Sequence, residues 1–197
     1  MSKARYPTLE EFWQRLKVRG LEPDLVQSLR SRTRREDEGI HRLPADTTVA
    51  VISRLLPGTI PPEAIGAFLD ANFDRQLGRA DDKHGLMARD QLIPAGFAVL
   101  DDTARSLHSR PFAELEPQMQ DELLAQAEKG ALVGPPGFDS STWFRRTRAL
   151  VLLGLGSDPR GMVFMGYPGP SYKPGHIWLD EGEVSARAAR KKGYLQL

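Results

Sequence analysis

Apolar residues recur every three or four positions over long stretches of this chain, which is the spacing of one face of an α-helix. The clearest stripe follows Pro61-Pro62 and consists of Ile65, Phe68, Leu69, Phe73 and Leu77, with Gly78 as a stop. No segment shows the sustained alternation of apolar and polar residues that marks a half-buried strand. The pattern therefore predicts an all-α protein, a compact helical domain.

The same spacing predicts further helices on both sides of this stripe. Thr8 and Glu11 form a capping box before the first of them. Asp139 or Ser140 is a suitable N-cap for the last. The predicted helical stretches cover residues 9–16, 25–29, 47–56, 92–107, 116–129 and 143–154.

The stretch Gly161–Trp178 has a different character, with three Pro, four Gly, two Tyr, one Phe and one Trp. Gly opens backbone angles that other residues avoid, and Pro fixes φ while removing a donor. Aromatic side chains on a stiff backbone bury large areas at low entropy cost. The stretch is predicted to be a long shaped loop that contacts another molecule.

Composition shifts divide the chain into three parts. Residues 1–45 are predicted to be an N-terminal helical extension, residues 46–180 the main helical domain, and residues 181–197 a polar tail. The extension contains the block Arg30–Glu38, in which four Arg precede three acidic residues. We interpret this block as a solvated linker, with a phosphate or partner site as the alternative.

The totals exclude several classes of function. The 197 residues carry a net charge of +1, which supplies little of the attraction to phosphate that nucleic-acid binding needs. No apolar run approaches the roughly 18 residues of a membrane span, so membrane insertion is not expected. The chain has no Cys, which excludes disulfides, zinc–cysteine sites and thiol catalysis.

The motifs that could bind a metal ion or a nucleotide match their consensus patterns only in part. Asp70-x-Asn72-x-Asp74 imitates half of a calcium loop, but Arg75 stands where Gly is required. Gly154-x-Gly156 follows a predicted helix, whereas a dinucleotide loop follows a strand. The four His lack the i, i+3 or i, i+4 spacing of paired metal ligands. We therefore predict no catalytic residue, no metal site and no cofactor bound by this chain.

The run Ala149–Leu153 is apolar at every position. A helix segment of that kind must be covered on more than one side, either by its own domain or by another chain. Arg145, Arg146 and Arg148 precede the run, close to Trp143 and Phe144. They are interpreted as solvated Arg beside core aromatics, with binding of a phosphate or an acidic partner as the alternative.

The order of these features resembles one family. It runs from Leu56-Pro57-x-x-Ile60-Pro61-Pro62 through Phe73-x-x-x-Leu77, Gly85-x-x-Ala88, the 92–107 stripe and Phe112-x-x-Leu115. It continues through Trp143-Phe144 with Arg148 to the loop Gly166-Tyr167-Pro168-Gly169-Pro170-Ser171-Tyr172 and to Trp178. Over roughly residues 46–180 the chain is similar to the gluconate 2-dehydrogenase subunit 3 family, the small subunits of flavin-dependent sugar dehydrogenases.

The resemblance implies a non-catalytic, mostly helical partner of a large flavoprotein in a hetero-oligomer. The large subunit, of the glucose-methanol-choline class, would carry FAD and oxidise a sugar or glycoside, and the small subunit would stabilise and solubilise it. On this basis the expected interface consists of Trp143, Phe144, Arg148, Phe164, Tyr167, Pro168, Pro170, Tyr172, His176 and Trp178.

The alternative is a stand-alone helical enzyme or ligand-binding domain with a pocket lined by Trp143, Tyr167, His176 and Trp178. Many members of the family carry a twin-arginine export leader. Here Arg34-Arg35 is followed by three acidic residues, and the next apolar run is broken by Arg54. Either a leader has been removed or this member works in the cytoplasm, and Met1 favours the cytoplasm.

Overall fold

The computed structural model describes residues 8–18, 23–56, 58, 60–74 and 87–166. Within these residues it contains eight α-helices, two short 3-10 helices and no strand, which confirms the all-α prediction. The chain divides into two compact units. The central unit is residues 32–158, and the terminal unit combines residues 1–31 with residues 159–197.

The helix bounds follow the predicted stripes closely. In chain order the α-helices are α1 Leu9–Val18, α2 Pro23–Arg32, α3 Ala45–Leu55, α4 Pro62–Asn72, α5 Arg89–His108, α6 Pro117–Glu128, α7 Ser140–Ser157 and α8 Pro159–Phe164. The 3-10 helices are Arg35–Glu38 and Phe112–Glu114.

The core of the central unit is organised around Trp143 on α7, a helix that packs against α4, α5 and α6. The Trp143 side chain has no exposed surface. Its indole N–H donates to the Ile93 carbonyl at 3.2 Å, and its ring meets Phe97 edge-on at 5.5 Å. The hydrogen bond satisfies the one polar group of the indole, so this large ring is buried without leaving an unpaired donor.

Two glycines let helices approach closely around this core. A Cβ at Gly96 of α5 would overlap the Trp143 ring, so only Gly fits there. On α7, a Cβ at Gly154 would lie 3.0 Å from Phe68 Cδ1 and 3.1 Å from Ile65 Cγ2. Gly154 thus lies in the last turn of α7, close to the helix C-terminus, and not in a dinucleotide-binding loop.

A buried carboxylate joins α4 to the segment before α3. Asp70, 5% exposed, accepts the backbone N–H groups of His41, Arg42 and Leu43 at 3.2, 2.8 and 2.8 Å. The stripe predicted this helix as far as Leu77, but α4 ends at Asn72. The Asn72 amide donates back to the Phe68 carbonyl at 2.7 Å, a local bond of the type that competes with continuation of a helix.

The terminal unit contains α1, α8 and nearly all of α2. Its buried residues are Phe12, Leu16 and Leu29, with Met162 and Val163 of α8 packed against them. The capping box is present, since Glu11 N–H donates to Thr8 Oγ1 and Thr8 N–H to Glu11 Oε2, at 3.1 and 2.8 Å. The predicted loop was wrong at its start, because Gly161–Phe164 are helical. Pro159 at the first position of α8 suits a helix start.

The buried hydroxyl of Thr147 on α7 allows the cost of an unsatisfied polar group in the core to be measured. Its Oγ1 is buried and has no hydrogen-bond partner in the described part of the chain. Thr147→Val removes this unsatisfied group with almost no change in shape, and we expect it to raise the free energy of unfolding by about 1 kcal/mol. Urea denaturation followed by circular dichroism measures the change.

The matched control is Thr142→Val on the same helix. Thr142 is also buried, but its Oγ1 donates to Asp139 Oδ2 at 2.9 Å. This variant should therefore lower the free energy of unfolding. A loss of stability in both variants would show that the Thr147 hydroxyl is satisfied in solution.

Candidate partner-binding surface

The helix α7 begins at a strong N-cap. Asp139 Oδ1 accepts the backbone N–H groups of Ser141 and Thr142 at 2.9 and 3.4 Å, and both side-chain hydroxyls donate to the same carboxylate. Burial raises the pKa of the Asp139 carboxyl, but these hydrogen bonds outweigh burial and hold the pKa below its ordinary value. The charged cap fixes the start of the helix and with it the rotation of its two faces.

Loss of this cap should be measurable. Asp139→Ala is expected to lower the free energy of unfolding by about 1 kcal/mol at neutral pH. Because the folded-state pKa is depressed, the wild-type contribution is complete above the unfolded-state value, about 3.9, and is lost as the pH falls through the folded-state pKa. The difference in free energy of unfolding between wild type and variant should therefore narrow as the pH falls below about 3.9, which denaturation at a series of acidic pH values measures. A constant gap between them would contradict the assignment.

Beyond the cap, α7 presents two different faces. Trp143, Phe144, Thr147, Leu150, Val151, Gly154 and Leu155 are buried. The opposite face, at spacings of three and four residues, exposes Arg145, Arg148, Ala149, Leu152 and Leu153. The side chains of Leu152 and Leu153 are 53% and 48% exposed. We call these five residues the α7 surface.

The α7 surface changes character along the helix. At its N-terminal end Arg148 pairs with Glu128 at 3.3 Å, with side chains 50% and 56% exposed. The Arg148 guanidinium also lies 5.6 Å from the centroid of the Phe144 ring. An ion pair this exposed contributes at most about 1 kcal/mol to stability, so both groups can take new partners at low cost. The C-terminal end is apolar.

The residues of the predicted interface differ in their exposure and in whether the structure describes them. Trp143 is fully buried and Phe144 is 7% exposed, so these two rings support the α7 surface from beneath and offer little area to a partner. Arg148 lies on the surface itself, and Phe164 is half-buried in α8 of the terminal unit. The remaining predicted contacts lie outside the described residues: Tyr167, Pro168, Pro170, Tyr172, His176 and Trp178.

The alternative pocket is affected by the same burial. A side chain with no exposed surface cannot line an open pocket, which removes Trp143 from that hypothesis. The sequence-based interface also omitted Leu152 and Leu153. Their signal was the run Ala149–Leu153, apolar on all sides of a helix. In the folded chain Leu150 and Val151 are buried, whereas Leu152 and Leu153 are exposed.

One comparison with known proteins identifies the family. A model of the family described as gluconate 2-dehydrogenase subunit 3 matches residues 44–169. The chain belongs to the gluconate 2-dehydrogenase subunit 3 family. Neither a curated protein nor a solved structure matches it. The family is a subunit of a multi-subunit dehydrogenase, which implies a partner chain.

The region matched by the gluconate 2-dehydrogenase subunit 3 family contains the α7 surface entirely. It begins at Pro44, the N-cap residue of α3, and runs past the end of α8. Among the described residues, no helix is both long enough and apolar enough to cross a bilayer.

The acidic motif considered for calcium has structural roles in this family member. Asp70 holds the backbone of residues 41–43, and Asp74 pairs with Arg42 at 2.8 Å. The Arg42 guanidinium also lies 4.2 Å from the Phe73 ring centroid. Across the part of the chain that the structure describes, no group of three His, Cys, Asp or Glu side chains is placed to hold a metal ion.

The arginine block of the predicted linker is also used within the chain. Arg32 donates to the Ser157 carbonyl at 3.4 Å, and Arg35 donates to Ser157 Oγ at 3.0 Å. Arg35 also lies 5.0 Å from the centroid of Phe68. These contacts of Arg32 and Arg35 tie this part of the block to the C-terminal end of α7 within the central unit.

Proposed function

We propose that this chain is the non-catalytic small subunit of a hetero-oligomeric dehydrogenase. It binds a larger flavoprotein of the glucose-methanol-choline class and keeps that subunit folded and soluble. The large subunit carries FAD and oxidises a sugar, a sugar acid or a glycoside hydroxyl. The sequence predicts that the complex works in the cytoplasm, which fractionation of host cells tests.

The observation that carries the proposal is the pair of exposed leucines inside the region matched by the family. Leu152 and Leu153 are half-exposed on adjacent positions of a rigid helix. Covering them with another chain stabilises the complex by about 25 cal/mol per Å² of apolar area buried. The caps and the buried face of α7 hold them in place before binding, which reduces the entropy cost of association.

The arginines at the other end of the α7 surface fit a partner with carboxylates. Arg148 is already paired with Glu128, so an acidic side chain of the large subunit would join or replace an existing ion pair. Such charges steer association and fix the orientation, while the leucines supply affinity. A stable interface buries about 1,600 Å² in total, more than the α7 surface offers. The predicted contacts at Tyr167, Tyr172 and Trp178 would extend it.

Purification of the tagged chain from its native host tests the proposal. The expected result is a yellow complex that contains a larger protein with the absorption spectrum of a flavin. The complex, and not the small chain alone, should oxidise a sugar or sugar acid with an artificial electron acceptor. Turnover by the isolated chain, or a complex without flavin, would overturn the proposal.

A further inference from the structure

The terminal unit contains a groove between α1 and α2 that the partner-binding role does not use. Its volume is about 440 Å³, within the range of about 300–1,000 Å³ that is typical of small-molecule sites. The apolar wall consists of Trp13, Pro23 and Val26. The polar lining consists of Glu10, Gln14, Gln27 and Arg30.

The aromatic residue in this groove is held in place from below. Its neighbours Phe12 and Leu16 are buried in the core of the terminal unit. The Trp13 ring is half-buried and meets the Phe12 ring edge-on, with centroids 5.2 Å apart and planes at 68°. An indole fixed in this way offers a flat apolar surface without losing further conformational freedom on binding.

The polar groups surround this ring. The Arg30 guanidinium carbon lies 5.4 Å from the Trp13 centroid. Gln14 Nε2 donates to Glu10 Oε1 at 2.9 Å, which orients both side chains one turn apart on α1. Together they offer a carboxylate acceptor, amide donors and acceptors, and the guanidinium of Arg30, which also takes part in interactions within the chain.

We propose that this groove binds a polyhydroxylated small molecule, a sugar or a sugar acid. The C–H groups of such a molecule lie against the indole, while its hydroxyls exchange hydrogen bonds with Glu10, Gln14 and Gln27. A carboxylate at one end faces Arg30, since guanidinium and carboxylate form charge-assisted hydrogen bonds. The choice of ligand deepens the proposed function and rests on it, because sugars and sugar acids are the substrates proposed for the large subunit.

The amide and carboxylate lining favours hydroxyl-rich ligands over purely apolar ones. A lipid or steroid would displace water from the Gln27 amide and from the remaining hydrogen-bonding atoms of the Glu10–Gln14 pair without replacing the lost hydrogen bonds, which costs free energy. A hydroxyl both donates and accepts, so it can satisfy an amide and a carboxylate side by side. The groove is therefore assigned to a ligand with several hydroxyls and one apolar side.

Isothermal titration of the full-length chain with gluconate and with glucose tests this assignment. Both should bind saturably, gluconate about tenfold more tightly because of Arg30. Trp13→Ala should weaken both by about tenfold or more, and Trp13→Tyr, which keeps a ring, by only about threefold. Arg30→Met should remove the preference for gluconate, whereas Arg34→Met, at an exposed Arg outside the groove, should leave it unchanged.

Saturable binding that depends on Trp13 supports the inference. No saturable binding of either compound, or equal binding by wild type and Trp13→Ala, overturns it. Circular dichroism establishes that each variant is folded. The titration uses the small chain alone, so a negative result does not contradict the proposed function, which purification of the flavoprotein complex tests. Conversely, failure to purify the complex would overturn the proposed function, whereas a positive titration would still show that the groove binds the ligand.

Discussion

Gly96→Ala should destabilise the central unit, although Ala is the better helix former by about 1 kcal/mol. The added Cβ would overlap the Trp143 ring. That ring cannot move aside, because it is fully buried, contacts Phe97 and donates to the Ile93 carbonyl. Overpacking of this kind costs about 3 kcal/mol, so we expect a net loss of about 2 kcal/mol in the free energy of unfolding.

Chemical denaturation followed by circular dichroism measures this loss, and a second substitution shows its cause. Trp143→Leu destabilises by itself, but it frees the space that the new methyl group needs. Gly96→Ala should therefore cost much less in the Trp143→Leu background, which a double-mutant cycle detects. Gly58→Ala is the control, because a Cβ there would meet no atom within 4 Å among the described residues beyond its chain neighbours. Additive effects at Gly96 and Trp143 would contradict the close packing of α5 on α7.

Leu152→Glu should weaken binding of the large subunit by about tenfold or more while leaving the small subunit folded. Leu152 is 53% exposed, so a charged side chain is solvated in the free chain and changes its stability by no more than about 0.5 kcal/mol. In the complex the same carboxylate would be buried against an apolar surface. The cost of desolvating an unpaired charge should weaken binding by about tenfold or more.

Co-purification measured by flavin absorbance per small subunit checks this expectation. Met119→Glu provides the matched control, since Met119 is an exposed apolar residue, 39% accessible, on α6 of the same unit. It should leave the flavin content at the wild-type level. A normal flavin content with Leu152→Glu would mean that the large subunit binds elsewhere, and a loss with both variants would indicate a general effect of added negative charge.

Helices α1 to α7 could be predicted because each carries its own periodic signal. The stripe of α5, the capping box of α1 and the Asp139 cap of α7 are local features, and the structure confirms all three. The start of α8 was missed because Gly and Pro were interpreted as loop residues throughout the 161–178 stretch. Pro159 instead begins a helix, and Met162 and Val163 pack against the core of the terminal unit.

The site was harder to predict because burial depends on residues distant in sequence. Trp143 was expected at an interface, yet it fills the space left by Gly96, which no local pattern connects with it. The run Ala149–Leu153 indicated an excess of apolar surface but not which side remains open. That side is set by the packing of α4, α5 and α6 around α7, which leaves Leu152 and Leu153 uncovered.

The terminal unit is built from segments far apart in the sequence, which affects how the protein folds during translation. Phe12 and Leu16 of α1 share their core with Met162 and Val163, which the ribosome adds far later. At about 5–20 residues per second, the interval is on the order of ten seconds. During that time the apolar face of α1 can pack against Leu29 of α2, but it lacks its neighbours from α8. The core of the central unit is completed only shortly before α8, because Trp143 of α7 is also added late. The nascent chain thus exposes part of the apolar face of α1 until α8 has been synthesised, and a chaperone would bind there.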